Sequence, residues 1–150
     1  MECLNADPCN LMAKKGKRAQ LHAIYRTLYD SLGPQHWWPA DSPFEVIIGA
    51  ILTQNTSWNN VEKALTNLKE KELLDPQKLY DVGEKRLART IKPSGFFNIK
   101  AKRIKHFIQF LFECYRGSID KMFEEDLFPL REALLTVNGM GPETVDSILL

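Results

Sequence analysis

Along most of this chain apolar residues recur at the three- and four-residue spacing of helices. From Arg18 onward Leu21, Ile24, Tyr25, Leu28 and Leu32 mark one amphipathic helix, which Gly33-Pro34 ends. Ser42-Pro43-Phe44-Glu45 reads as a capping box with proline at the first helical position, where a missing N–H costs nothing. The helix it opens, Phe44 to Leu52, is apolar nearly all round (Val46, Ile47, Ile48, Ile51), the pattern of a central, buried helix. Five polar residues, Thr53-Gln54-Asn55-Thr56-Ser57, interrupt the run. After Trp58, Val61, Ala64, Leu65 and Leu68 restore the helical period. Short helices are predicted after Asp75-Pro76, with Leu79, Tyr80 and Val82, and around Leu87, Ala88 and Ile91. The turn Lys92-Pro93-Ser94-Gly95 separates them from a long helix over Ala101, Ile104, Ile108, Leu111 and Tyr115, which Gly117 stops. Met122 to Phe128 carries no clear period, and Leu130 to Leu135 leads into the last feature of the chain. No alternating strand pattern persists and no segment repeats, so the fold class is all-α.

That last feature runs from Leu134 to Leu150, an apolar segment, a glycine-spaced turn and a second apolar segment. Gly139 and Gly141 can take positive φ and carry no side chain to obstruct a close ligand. Pro142 suits the first position of a helix, and Glu143 then falls in its first turn, on the favourable side of the helix dipole. Such a turn aims backbone N–H groups and a helix N-terminus outward, which is a site for an anion. Between two helices, a nucleic-acid phosphate gripped without sequence reading fits it. The plainer alternative is a tight loop between packed helices.

Composition narrows the class without choosing the chemistry. A chain of 150 residues, 44% hydrophobic and 26% charged, is that of one ordinary globular domain. The boundaries expected are a tail over 1–17, a first helix and Trp-rich connector over 18–40, and a helical domain over 41–150 that includes the hairpin at 134–150. No apolar run approaches a membrane span, and Met1 to Leu11 lacks the basic start and apolar core of a secretory signal, so a cytoplasmic monomer is expected, nucleoid-associated in a prokaryote. Cys3, Cys9 and Cys114 are too few and scattered for a disulfide framework, and no histidine or further cysteine lies near Cys3 and Cys9 to complete a metal site. His22, His36 and His106 have no ligand spacing and read as surface or packing residues. The formal net charge of +1 is no argument for nucleic acid. Basic residues are nevertheless clustered, at Lys14-Lys15-Gly16-Lys17-Arg18, at Lys85-Arg86 with Arg89 and Lys92, and over Lys100 to Lys105. Local patches bind phosphates even when the total is nearly neutral, although each cluster taken singly is equally a solvated helix face.

The wording of the hairpin is more specific than its glycines. Leu-Leu-x-x-x-Gly-x-Gly-Pro-Glu-Thr-x-Asp-Ser-Ile-Leu, beginning at Leu134, resembles the helix–hairpin–helix of the endonuclease III-like DNA glycosylases. The resemblance runs from about Leu21 to Leu150 and implies their fold, a multi-helix barrel, incomplete here at the C-terminus. Leu52-Thr53-Gln54-Asn55-Thr56 is similar to the family's Leu-x-x-Gln-x-Thr loop, which makes Gln54, with Asn55 beside it, the polar finger that enters the duplex where a nucleotide has left. Helix capping explains Thr56 and Ser57 but does not require glutamine. Pro93-Ser94-Gly95-Phe96-Phe97-Asn98-Ile99-Lys100-Ala101-Lys102 resembles a second family segment. It implies that Phe96 is an apolar wedge and that Asn98 and Lys100 set the loop and contact DNA backbone, with Phe97 in the core. The hairpin's Gly139, Met140, Gly141, Glu143 and Thr144 complete the expected DNA contacts. Trp37-Trp38-Pro39 and Thr56-Ser57-Trp58 look most like the 3-methyladenine glycosylase III branch, in which an aromatic from each segment sandwiches the extruded base. Carried over, Trp37 and Trp58 flank the base while Trp38 and Pro39 shape the wall. Large aromatics at helix junctions also serve as core.

Strand-cutting relatives carry at position 143 a lysine that attacks the sugar as an amine; a carboxylate cannot form that Schiff base, so a monofunctional enzyme is implied. The reading is a base excision repair N-glycosylase that flips a damaged, alkylated purine out of double-stranded DNA. The family's catalytic aspartate is expected beyond Leu150, so a fragment inactive alone is expected, with no catalytic residue, metal or cofactor in this chain. A [4Fe-4S] cluster belongs, if anywhere, to the full-length protein. Asp146 reads as structural. The alternatives are a mismatch thymine or uracil glycosylase, a non-catalytic hairpin-bearing DNA-binding module, and a helical protein-interaction domain.

Overall fold

The computed structural model describes residues 8–34 and 38–150, with side chains from residue 16 onward. Every regular element among them is helical: α1 (Pro8–Leu32), α2 (Pro43–Thr53), α3 (Trp58–Glu70), α4 (Pro76–Asp81), α5 (Glu84–Thr90), a 3-10 turn (Lys92–Ser94), α6 (Phe97–Tyr115), α7 (Ile119–Phe123), α8 (Leu127–Leu135) and α9 (Pro142–Leu149). The chain divides into two compact units between Pro39 and Ala40.

The first unit is α1. It begins at Pro8, ten residues before the helix expected from Arg18, so the expected tail over 1–17 is corrected from residue 8 onward. Proline suits a helix's first turn, lysine and arginine propagate helices well, and one glycine at position 16 costs only about 1 kcal/mol. Residues 1–7 lie outside the described residues.

The second unit is built on α2 and α6. The Ser42 hydroxyl accepts from the Glu45 N–H at 3.2 Å, and the Glu45 carboxylate accepts from the Asp41 N–H at 2.9 Å, one residue earlier than the usual reciprocal bond of a capping box. Glu45 is buried, and its charge is balanced by Lys69 at 2.7 Å. Beyond this cap α2 buries Phe44, Ile47, Ile48, Ala50, Ile51 and Leu52, as its all-round apolar sequence requires. It packs on α3, α6 and α9. The long α6 buries Ala101, Ile104, Phe107, Ile108 and Leu111 against α2, α4, α5 and α7. Its start is earlier than its apolar pattern indicates, at Phe97, because Gly95 (φ +67°) and Phe96 (φ +43°) turn the chain directly into it. Between Met122 and Phe128, where periodicity fails, α7 ends and α8 begins. Helices α8 and α9 pack on each other, stapled by Arg131 Nε donating to the Asp146 carboxylate at 2.6 Å.

Candidate nucleic-acid interface

The turn joining α8 to α9 is set by one glycine, not two. Gly139 has φ +94°, in the region that favours glycine, and a Cβ there would stand 2.8 Å from Arg103 Cδ and 2.9 Å from its Nε. Gly141 has φ −84° as the N-cap of α9, an angle open to any residue. Nothing lies within 4 Å of where its Cβ would be. The first glycine is therefore demanded by backbone and packing, whereas the second leaves an open approach to the start of α9. Pro142 occupies the first turn of that helix and Glu143 follows it, exposed. The leading N–H groups of a helix have no intrahelical acceptor, so the end of α9 presents donors to the groove.

Gln54 does not project freely. Its Nε2 donates to the Gly139 carbonyl at 3.0 Å and to Thr144 Oγ1 at 2.8 Å, while its Oε1 accepts from Arg103 Nη1. The loop after α2 and the hairpin, 85 residues apart in sequence, thus share the two walls of one groove of about 950 Å³. Arg103, Thr53, Gln54, Asn55, Glu143 and Thr144 are among its polar lining residues. Asn55, next to Gln54, is exposed and holds φ +53°; asparagine tolerates that conformation better than most residues.

Phe96 also takes a left-handed conformation, at φ +43° and ψ +31°, with 65% of its surface exposed. For a bulky residue this costs on the order of 1–2 kcal/mol, and little of the ring is buried in return. Phe97 is half-buried and Asn98 exposed. The loop that carries them is fixed from below by Lys100. That side chain is 1% exposed, and its Nζ donates to the Leu52 carbonyl at 2.8 Å and the Ser94 carbonyl at 2.6 Å. Burial first, and the nearby Arg103 charge second, hold its ammonium below the usual lysine range. The expectation that Lys100 contacts DNA backbone is therefore corrected. Its charge is spent on two carbonyls inside the protein, and it joins the end of α2 to the Phe96 loop. The Met140 side chain is buried, 3% exposed, so only its backbone is left to face a ligand. Thr144 is buried too, and it serves as an acceptor for Gln54.

The aromatic pocket divides differently. Trp58, half-buried at the start of α3, belongs to the second unit, whereas Trp38 and Pro39 belong to the first. Trp37 lies outside the described residues, and so does His36. Two groups that sequence reasoning missed are Arg103 and His106, whose Nδ1 lies 3.1 Å from the Asn138 carbonyl. The usable signal is their spacing from Lys100: positions 100, 103 and 106 recur at three residues on one helix. Among the described residues no group of three or more His, Cys, Asp or Glu could hold a metal. Cys114 is exposed on α6, and three cysteines in all cannot supply the four thiolates of an iron–sulfur cluster.

This geometry matches known proteins. Residues 48–139 match the HhH-GPD superfamily of base excision DNA repair proteins. A candidate DNA repair glycosylase of Methanocaldococcus jannaschii is 48% identical over 139 residues, covering 91% of this chain and 63% of its own length. Endonuclease III of Thermotoga maritima is 35% identical over 71% of this chain and 46% of its own. The chain thus spans about half to two thirds of these relatives. Among solved structures, H. pylori 3-methyladenine DNA glycosylase bound to 1,N6-ethenoadenine superposes with a TM-score of 0.71 at 33% identity, over 87% of this chain and 62% of that one. A trapped endonuclease III–DNA covalent intermediate gives 0.67 at 21% identity, over 87% and 58%, and shares the fold. With the helix–hairpin–helix and its partner loop in this arrangement, the chain belongs to the HhH-GPD superfamily of base excision DNA repair proteins.

Proposed function

We propose that this chain grips double-stranded DNA with the 139–144 turn and takes part in extruding an alkylated purine as a monofunctional N-glycosylase. The observation that carries the reading is the bonding of Gln54 to both Gly139 and Thr144. A polar finger and a phosphate-binding turn then flank one groove, as an enzyme that replaces a flipped nucleotide needs. In this reading the donors at the start of α9 bind a backbone phosphate, which fixes register without reading sequence. Gln54 and Asn55 meet the vacated space, and Phe96, held outward by its backbone, separates base steps on the other strand. Asn98, exposed beside it, contacts the backbone there.

Two features favour an alkylpurine over a mismatched pyrimidine. The 33% identical neighbour is a 3-methyladenine glycosylase holding a modified adenine, and Trp58 stands half-buried at the start of α3, directly after the Gln54 loop. N-alkylated purines are cationic, and cation–π attraction to indole contributes on the order of 0.5–2 kcal/mol. An alkylated base also leaves readily, without strong acid catalysis. Glu143 stands exposed where an amine nucleophile would be needed for strand cutting, which supports hydrolysis of the N-glycosidic bond alone.

The test is binding and base release by the 150-residue protein across duplexes carrying 3-methyladenine, a T·G mismatch, uracil or no lesion. Preferential binding of the alkylated duplex, reduced by Trp58→Ala, is expected. Equal binding of all four duplexes would favour a plain hairpin module, and preference for the mismatch or uracil would transfer the reading to that branch.

A further inference from the structure

Arg103 has a partner unusual for a guanidinium. Its stem runs beneath Gly139, close enough that a Cβ there would collide with it, and its Nη1 donates to the neutral amide oxygen of Gln54. Among the described residues no carboxylate lies within 4.0 Å of it, although Glu143 lines the same groove. Arginine carries five N–H donors in a planar fork suited to phosphate, which can take two of them at once and brings the opposite charge that the Gln54 amide lacks. Gln54, for its part, is held at both ends of its amide: Oε1 by Arg103, Nε2 by Gly139 and Thr144. A finger in that position is folded onto the protein and is unavailable to the duplex.

We propose that Arg103 is a positioning residue that Gln54 and a DNA phosphate occupy in turn. In the free protein the guanidinium keeps Gln54 retracted against the hairpin. When duplex enters the groove, a backbone phosphate takes the guanidinium, and Gln54, left with only its Nε2 bonds to Gly139 and Thr144, is freed to turn toward the stack. The inference rests on the groove being the duplex site, and it adds the device that ties finger release to phosphate contact. Its electrostatic consequence is specific. The phosphate bound by Arg103 contributes one counterion's worth of salt dependence, about 0.9 in the slope of log K against log salt. Gln54 opposes that contact because it competes for the same donor.

The experiment measures affinity for an undamaged duplex over a range of salt with the full 150-residue chain. Arg103→Met, which preserves the stem under Gly139, is expected to weaken binding on the order of tenfold and to lower the slope by about one phosphate. Gln54→Ala is expected to tighten binding several-fold with the slope unchanged, and the double variant to match Arg103→Met. Arg103→Lys should restore the slope. In the free protein, Arg103→Met should also shift the Gln54 side-chain amide resonance, identified by its loss in Gln54→Ala, because Oε1 loses its donor. An unchanged slope in Arg103→Met, or unchanged or weaker binding in Gln54→Ala, overturns the exchange while leaving duplex binding intact. Failure of the unaltered protein to bind duplex at all overturns the functional reading as well, so the two failures are told apart.

Discussion

Replacing Phe96 by glycine and by alanine separates two claims, that its backbone is strained and that its ring works outside the protein. The left-handed backbone at φ +43° costs an L-residue on the order of 1–2 kcal/mol, which glycine escapes and alanine retains. Glycine gives back roughly 0.5–1 kcal/mol through its freer unfolded chain. With 65% of the residue exposed, about a third of a phenylalanine's burial energy is lost in either variant, on the order of 1 kcal/mol. Phe96→Gly is therefore expected to be near neutral, and Phe96→Ala less stable by about 1 kcal/mol, a difference of about 2–4 °C in melting temperature for a chain of this size. Both variants should lose the fluorescence rise of a duplex carrying 2-aminopurine beside the lesion, since neither has a ring to part base steps. Thermal melts and that titration decide it. Equal stability of the two variants would refute the strain argument, and a full fluorescence rise with Phe96→Gly would refute the wedge.

The hairpin glycines should behave unequally. Gly139→Ala meets both φ +94° and the Arg103 stem and should lose on the order of 1–3 kcal/mol in denaturant unfolding, whereas Gly141→Ala should be within about 0.5 kcal/mol of the parent yet bind duplex less tightly. Lys100→Met leaves the Leu52 and Ser94 carbonyls without their donor and should cost roughly 2 kcal/mol or more in the same assay, while the salt slope for duplex binding stays unchanged. Hydrogen bonds from Arg131, then desolvation opposing them and the Arg131 charge reinforcing them, leave the Asp146 carboxyl below its usual range. A carboxyl depressed in the folded state contributes stability that is present above its unfolded value of 3.8 and is lost as pH falls through the lower folded value. Thermal melts of the parent and Asp146→Asn should therefore differ at neutral pH and converge once pH drops below that window.

What could be read in the sequence and what could not follow from where the determining contacts lie. The capping box at Ser42, the all-round apolar α2 and the turn at Gly139 are local, written in residues within one or two helical turns of each other, and their elements stand where the pattern places them. The start of α1 is not legible because Lys14 to Arg18 is apolar nowhere, so hydrophobic period is silent where helix propensity is not. The role of Lys100 was misread for a different reason. A lysine among lysines in sequence reads as a phosphate contact, and only the approach of the Leu52 and Ser94 carbonyls turns it inward. Gly141 resembles Gly139 in the string and differs from it in φ, which the residues before and after cannot announce. Arg103 was invisible because its significance depends on Gln54 and Gly139, 49 positions before it and 36 after it in the numbering.

The buried Lys100 and the groove-facing Arg103 share one helix. Lys100 and Arg103 lie three residues apart on α6, the inner one bonding the end of α2 to the loop before Phe96, the outer one bonding Gln54 beside the hairpin. Three segments that would otherwise move independently are thus referred to two cations on a single rigid rod. The inner cation is sealed from solvent, so its bonds persist whatever enters the groove. The outer one faces the groove and holds only a neutral amide, so an arriving phosphate can outbid its partner. A fixed joint beside an exchangeable one is what a finger needs if it is to stay retracted on bare protein and advance only where backbone phosphate is present. That order of events, and not the finger's reach alone, would keep Gln54 from probing anything but a seated duplex.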